Sequence, residues 1–108
     1  MSEEDILSRI DTKWGKRLDV GEGWYELVFK LDRDLADLDP NYTIAQVKEK
    51  FGGLRFYLDT LSPESITFAR ALIQEAEVRS MVMCEVCGEP ATLRSQNYYI
   101  RTVCDFHA

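Results

Sequence analysis

A chain of 108 residues can hold one small domain with a modest core, and 45% hydrophobic beside 30% charged residues is the balance of an ordinary soluble globular protein. No apolar run approaches the length needed to cross a bilayer, and a net charge of −6 sets the chain as a whole against polyanions, which disfavours a general nucleic-acid binder. The acidic opening Met1-Ser2-Glu3-Glu4-Asp5 is the opposite of a secretory or mitochondrial signal, so with its free cysteines the chain is expected in the cytoplasm.

Residues 2–18 read as a first helix. Ser2 can cap it, Glu3, Glu4 and Asp5 suit its positive end, and Lys16 and Arg17 suit its last turn. Ile6, Leu7, Ile10 and Trp14 recur at helical spacing and form the expected buried stripe. Residues 23–38 read as a second helix, with Trp24, Leu27, Val28, Leu31, Leu35 and Leu38 on one face. Lys30, Asp32, Arg33, Asp34 and Asp37 populate the other. Pro40 ends it, since the residue before proline avoids the helical region. Both tryptophans are read as core residues.

Residues 43–59 read as a β-hairpin with Gly52-Gly53 as a two-residue turn. Phe51 then opposes Leu54, Lys50 opposes Arg55, Glu49 opposes Phe56 and Lys48 opposes Tyr57. One face carries Val47, Phe51, Leu54, Phe56 and Leu58 and is expected to pack on the helices. The other carries Lys48, Lys50, Arg55 and Tyr57, a basic and aromatic surface on an acidic chain. Glu49 is a misfit on the apolar face. Residues 62–83 read as a third helix, opened by Ser62-Pro63-Glu64 and burying Ile66, Ala69, Leu72, Ile73 and Ala76.

The last stretch holds every cysteine and the only histidine. Cys84-x-x-Cys87-Gly88 can supply two thiolates from one tight turn, with Gly88 in the left-handed conformation such a turn needs. Cys104-x-x-His107 is a second close pair, and the gap between the pairs resembles that of a zinc ribbon. Ala91–Ser95 and Tyr98–Val103 read as short strands about a turn at Gln96-Asn97, which puts Thr92, Arg94, Tyr99 and Arg101 on one face. Inert buried thiols, a disulfide with one cysteine left over, and a redox pair are the rival readings. The odd cysteine count and the helix leading into the pair argue for structural Zn2+ on Cys84, Cys87, Cys104 and His107. The expected architecture is α+β: three helices packed on a β-hairpin over 1–83, and a zinc-ribbon-like knuckle and hairpin over 84–108 packed on that body as one domain.

The run Gln46-Val47-Lys48-Glu49-Lys50-Phe51-Gly52-Gly53-Leu54-Arg55-Phe56-Tyr57, with Gly23-Trp24 upstream and Cys84-x-x-Cys87-Gly88 downstream, resembles a family of small uncharacterised bacterial and phage proteins. The resemblance spans residues 23–107. It implies a bacterial or phage setting and brings with it no catalytic residue.

Three functions compete. The first is a protein-binding module, such as a phage-encoded inhibitor or adaptor of a host or defence protein, making contact through its acidic helices or the polar hairpin face; acid-rich helices are also a means of imitating nucleic acid. The second is nucleic-acid binding through Lys48, Lys50, Arg55 and Tyr57. The third, an enzyme, is the least favoured. Gly52-Gly53 lacks the lysine and helix start of a phosphate loop, and the one histidine is assigned to the metal.

Overall fold

The computed structural model describes residues 3–11, 15–96 and 98–108. Helix α1 runs Glu3–Arg9, with Ile6 buried and Leu7 half-buried. The helix expected over 2–18 is thus far too long. After Arg9 the backbone turns extended: buried Ile10 bridges Ile44, and the Asp11 N–H donates to the Ile44 carbonyl at 2.9 Å. Gly15 then adopts φ +84, which no right-handed helix contains. Leu18–Asp19 forms strand β1, so Lys16 and Arg17 lie in no helix, and the Arg17 Nε instead donates to both Asp19 oxygens at 2.9 Å. Ser2 and Trp14 fall outside the described residues.

A 3-10 turn, Glu22–Trp24, leads into helix α2, Tyr25–Leu38. Trp24, Val28, Leu31 and Leu35 are buried on its inner face, as the periodicity requires. Asp39 ends the helix in an extended conformation before Pro40. Its carboxylate accepts the Asn41 and Ser62 N–H groups, both at 2.9 Å, which holds it below the usual carboxylate range.

Helical periodicity puts Asp32 on the polar face, but the structure buries it at 1% exposure. The reason is a pair of partners remote in sequence. Arg9 Nη1 donates to Oδ2 at 2.6 Å, and the Tyr42 hydroxyl donates to Oδ1. The Arg9 guanidinium also lies 5.8 Å from the centre of the Tyr42 ring. A buried carboxylate is tolerable only with such a set of donors.

Strands β2, Thr43–Lys50, and β3, Gly53–Thr60, form the antiparallel hairpin, and β1 joins the free side of β2 in parallel. The turn is Phe51-Gly52 rather than Gly52-Gly53. Both turn residues are left-handed, at φ 54 and φ 81, as a primed two-residue turn demands. Moving the turn by one residue moves every partner by two: Lys50 opposes Gly53, Glu49 opposes Leu54, Lys48 opposes Arg55 and Val47 opposes Phe56. An even shift preserves the faces, so Val47, Leu54 and Phe56 still enter the core. Phe51 does not: it sits in the turn, 65% exposed. Glu49 ceases to be a misfit, because its Oε2 accepts the Gly52 N–H at 2.6 Å and closes the turn. Register shifts on either side of Ile44 let it share the core with Val47, three positions away.

Helix α3, Ile66–Ser80, follows a 3-10 turn at Pro63–Ser65, and Ser62 makes no side-chain cap. It is shorter than the span 62–83, with Met81 and Val82 in a turn. Ala69 and Ala76 are buried in the core, while Leu72 and Ile73 are partly buried. Two polar groups of α3 serve the outer edge of β3. Ser80 Oγ accepts the Leu54 N–H at 2.9 Å and Glu77 Oε2 accepts the Phe56 N–H at 3.1 Å, so those edge donors are blocked.

Strands β4, Thr92–Gln96, and β5, Tyr99–Val103, make a second, separate sheet. Its turn falls one residue later than expected, reaching Tyr98 at φ 65, and again the faces survive: Arg94 opposes Arg101 and Gln96 opposes Tyr99. The two sheets do not merge. The tip of the first lies against the second, with the Thr102 hydroxyl donating to the Gly52 carbonyl at 2.6 Å. A Cβ on Gly52 would stand 2.4 Å from Leu93 Cδ1, and one on Gly53 would stand 2.8 Å from Met81 Sδ. Among the described residues the architecture is α+β, with three α-helices and two small sheets. Among the described residues no helix is long and apolar enough to cross a membrane.

Replacing Asp32 with Ala strands the Tyr42 hydroxyl and leaves Arg9 to be met by solvent, so the expected loss in urea denaturation is about 2 kcal/mol. Burial, followed by the hydrogen bond to Asp32, pushes the Tyr42 phenol well above its ordinary value. The folded chain therefore keeps a proton that the unfolded chain releases above about pH 10. Stability should be full below that pH and fall as pH rises past it, and Tyr42→Phe should flatten the decline in a pH series of denaturation midpoints.

Candidate metal centre

The knuckle begins one turn beyond α3. Met83 bridges Pro90, the Cys84 N–H donates to the Glu89 carbonyl at 2.7 Å, and the Gly88 N–H closes back on the Cys84 carbonyl at 2.8 Å. Gly88 takes φ +85, the left-handed value its place after Cys87 suggests. Strand β5 then delivers Cys104, and the 3-10 turn Asp105–His107 carries the histidine back. Arg94 pins that turn, its Nε donating to the Val103 carbonyl at 3.1 Å and its Nη2 to Asp105.

These elements converge one donor atom from each of Cys84, Cys87, Cys104 and His107, all within 4.8 Å of one another. The Cys87 and Cys104 sulfurs are 3.7 Å apart, far beyond a covalent bond, and all three cysteines are free. His107 Nδ1 lies 3.3 Å from the Cys104 sulfur and 3.8 Å from that of Cys84. A tetrahedral ion with metal–sulfur bonds of ~2.3 Å and metal–nitrogen bonds of ~2.05 Å has edges of ~3.8 Å between sulfurs and ~3.5 Å between sulfur and nitrogen. The three separations given above lie close to those edges and the others stay within 4.8 Å, so the four donors are grouped closely enough to hold a metal ion.

The thiols sit in unequal surroundings. Burial pushes Cys84 up, but hydrogen bonds from the backbone of Cys104, Cys87 and Val86 outweigh it and bring the thiol down to about 6. At Cys87 a backbone hydrogen bond from Glu89 pulls down, yet burial and the neighbouring Cys84 and Cys104 sulfurs leave the net shift upward. The Phe106 ring stands edge-on to the His107 imidazole, centres 4.9 Å apart.

The knuckle is built into the body by a stretch whose part in the site the sequence does not announce. The Gly23 N–H donates to the Glu85 carbonyl at 2.8 Å, the Gly21 N–H to Glu85 Oε2 at 2.9 Å, and the Trp24 indole N–H to the Met83 carbonyl at 2.8 Å. A Cβ on Gly23 would fall 2.1 Å from the Cys84 carbonyl oxygen and 2.7 Å from the Cys87 nitrogen. Neither Gly21 nor Gly23 is left-handed, so what the site requires there is the absence of a side chain. The only sequence signal is a pair of glycines flanking one residue before a tryptophan.

Lys48, Lys50, Arg55 and Tyr57 are not at the metal cluster. They share the outward face of the β2–β3 hairpin, as the alternation implies. Lys48 Nζ lies 5.8 Å from the centre of the Tyr57 ring, and Lys50 Nζ lies 5.6 Å from that of Phe51. Comparison with family models, curated proteins and solved structures finds no match to this chain.

Gly23→Ala forces a methyl group into the Cys84 carbonyl. It should lower stability by about 2–3 kcal/mol in urea denaturation and weaken metal uptake, although it changes no ligand.

Proposed function

We propose that this chain is a small zinc-stabilised protein-binding module of the adaptor or inhibitor kind. Three thiolates and one imidazole in a tetrahedron suit zinc. With all four positions filled by protein, the ion is structural and leaves no place for a substrate. In this reading the C-terminal segment is a zinc-ribbon-like element, its knuckle and its returning turn joined by the β4–β5 hairpin.

The observation that carries protein binding is an uncovered apolar seam on α3 and the turn after it. Phe68, Val78 and Val82 are 66%, 62% and 63% exposed, a loss of hydrophobic burial that a partner would recover. Phe68, Ala71, Glu75, Val78 and Val82 follow one another at steps of three and four, the spacing by which one helix packs along another. Beside the seam a cavity of about 240 Å3 between α2 and α3 is lined by apolar residues such as Leu27, Leu72 and Met83 and by charged ones that include Lys30, Glu75 and Arg79. The partner that fits is an amphipathic helix of another protein. Its apolar stripe would lie on Phe68, Val78 and Val82, with a cation facing Glu75 and an acid facing Arg79.

Two measurements test the proposal. Elemental analysis should find one zinc per chain, and chelation should lower the melting temperature by on the order of 10 °C or more; metal-free, unshifted material overturns the zinc assignment. A partner captured by the wild type, then purified, should bind it directly and lose binding to Phe68→Lys/Val78→Lys, whose circular dichroism melt stays near that of the wild type. A partner that binds both forms equally, or no partner at all, overturns the α3 surface. Sedimentation of the isolated chain reports whether the helix belongs to a second copy.

A further inference from the structure

The outward face of the β2–β3 hairpin is a second surface, independent of the α3 seam. Lys48 and Arg55 are directly opposed across the two strands, an arrangement of like charges that weakens a sheet unless an anion lies over it. Four ion pairs form among the described residues, and none includes Lys48, Lys50 or Arg55. This is notable in a chain with 19 acidic and 13 basic residues. The neighbouring carboxylates are committed elsewhere. Asp19, beside Lys48 on β1, is held by Arg17, and Glu49 turns to the Gly52 N–H. The same surface exposes two rings, Tyr57 at 42% and Phe51 at 65%, each with a lysine ammonium near it.

We propose that this face binds single-stranded nucleic acid, with Lys48, Lys50 and Arg55 on the phosphates and Tyr57 and Phe51 stacking on bases. Cations alone fit any polyanion. Exposed rings interleaved with them fit a strand whose bases are unpaired. From Gln46, opposite Tyr57, to Lys50 at the tip is four strand residues, about 13 Å, so the contact is short. The acid excess does not abolish the site. Glu3, Glu4 and Asp5 belong to α1, and Glu26, Asp34 and Asp37 to α2, whose buried side chains share the core with Val47, Leu54 and Phe56 on the opposite face of the hairpin. The result is a local, salt-sensitive site.

The test is fluorescence anisotropy of the zinc-loaded chain with short labelled oligo-dT and oligo-U. Saturable binding at low salt is expected. The logarithm of affinity should fall against the logarithm of salt with a slope of about −2, from three contacts at about 0.7 each. Lys48→Gln/Lys50→Gln/Arg55→Gln should abolish binding, and Lys50→Gln alone, at an exposed tip position, should reduce the slope to about −1.4. Tyr57→Ala should lose about tenfold in affinity and keep the wild-type slope. Arg33→Gln, on α2, should change neither. Absence of binding at low salt overturns the site, as does wild-type affinity in both Lys50→Gln and Tyr57→Ala. Equal displacement by poly-glutamate together with an unaffected Tyr57→Ala also overturns it, and assigns the face to an acidic polypeptide.

Discussion

The closest constraint in this fold is between two pieces of backbone. Gly23 lies so near the Cys84–Gly88 turn that no side chain fits between them. Around that contact the Gly21 and Gly23 amides and the Trp24 indole donate to Glu85 and Met83. The entry to α2 and the first two candidate ligands, Cys84 and Cys87, are therefore one structural unit. Any ion drawing Cys84 and Cys87 toward Cys104 and His107 also fixes where α2 begins, and with it Trp24, a fully buried side chain of the core. A zinc finger on a flexible tether could lose its ion and leave the rest of a protein standing; an ion held by these four residues would have no such independence.

Around this unit the two hairpins divide their labour. The tip of β2–β3 is held by the second sheet through Thr102 and by the turn after α3 through Met81. The outer edge of β3 is closed by Ser80 and Glu77. Among the surfaces left open are a cationic, aromatic sheet face and an apolar helix seam, which differ in chemistry. The excess of carboxylates is the background against which both stand out.

How much of this could be read from the chain follows the reach of each interaction. The four candidate ligands were legible because their identity and spacing are local. Helices α2 and α3 were legible because their apolar periodicity is sustained over several turns. Helix α1 was over-read because burial at Ile6 and Ile10 has two causes: one residue faces the core from a helix, while the other bridges Ile44 as extended chain. Two adjacent glycines allow the first hairpin to turn at either of two places. The choice lies with the Glu49 carboxylate and with the second sheet pressed on Gly52. Faces survived that error because a side chain's side depends only on parity. Asp32 could not be recognised as buried, since what makes it tolerable is Arg9 and Tyr42, neither of them a neighbour on its helix. Gly21 and Gly23 carried their message in what they lack, and nothing nearby in the chain says what must fit there.

The tie between Gly21 and Glu85 spans 64 positions, and this gives the domain a clock. During synthesis the first hairpin and α2 emerge from the ribosome well before Cys104 and His107 exist. Until those last two candidate ligands are translated an ion would have only half its cage, and the start of α2 would rest on a turn that no closed cluster holds. Closure therefore waits until Cys104 and His107 have been made, and a chain cut short within β5 would carry nearly all of its core residues yet lack two of the four donors.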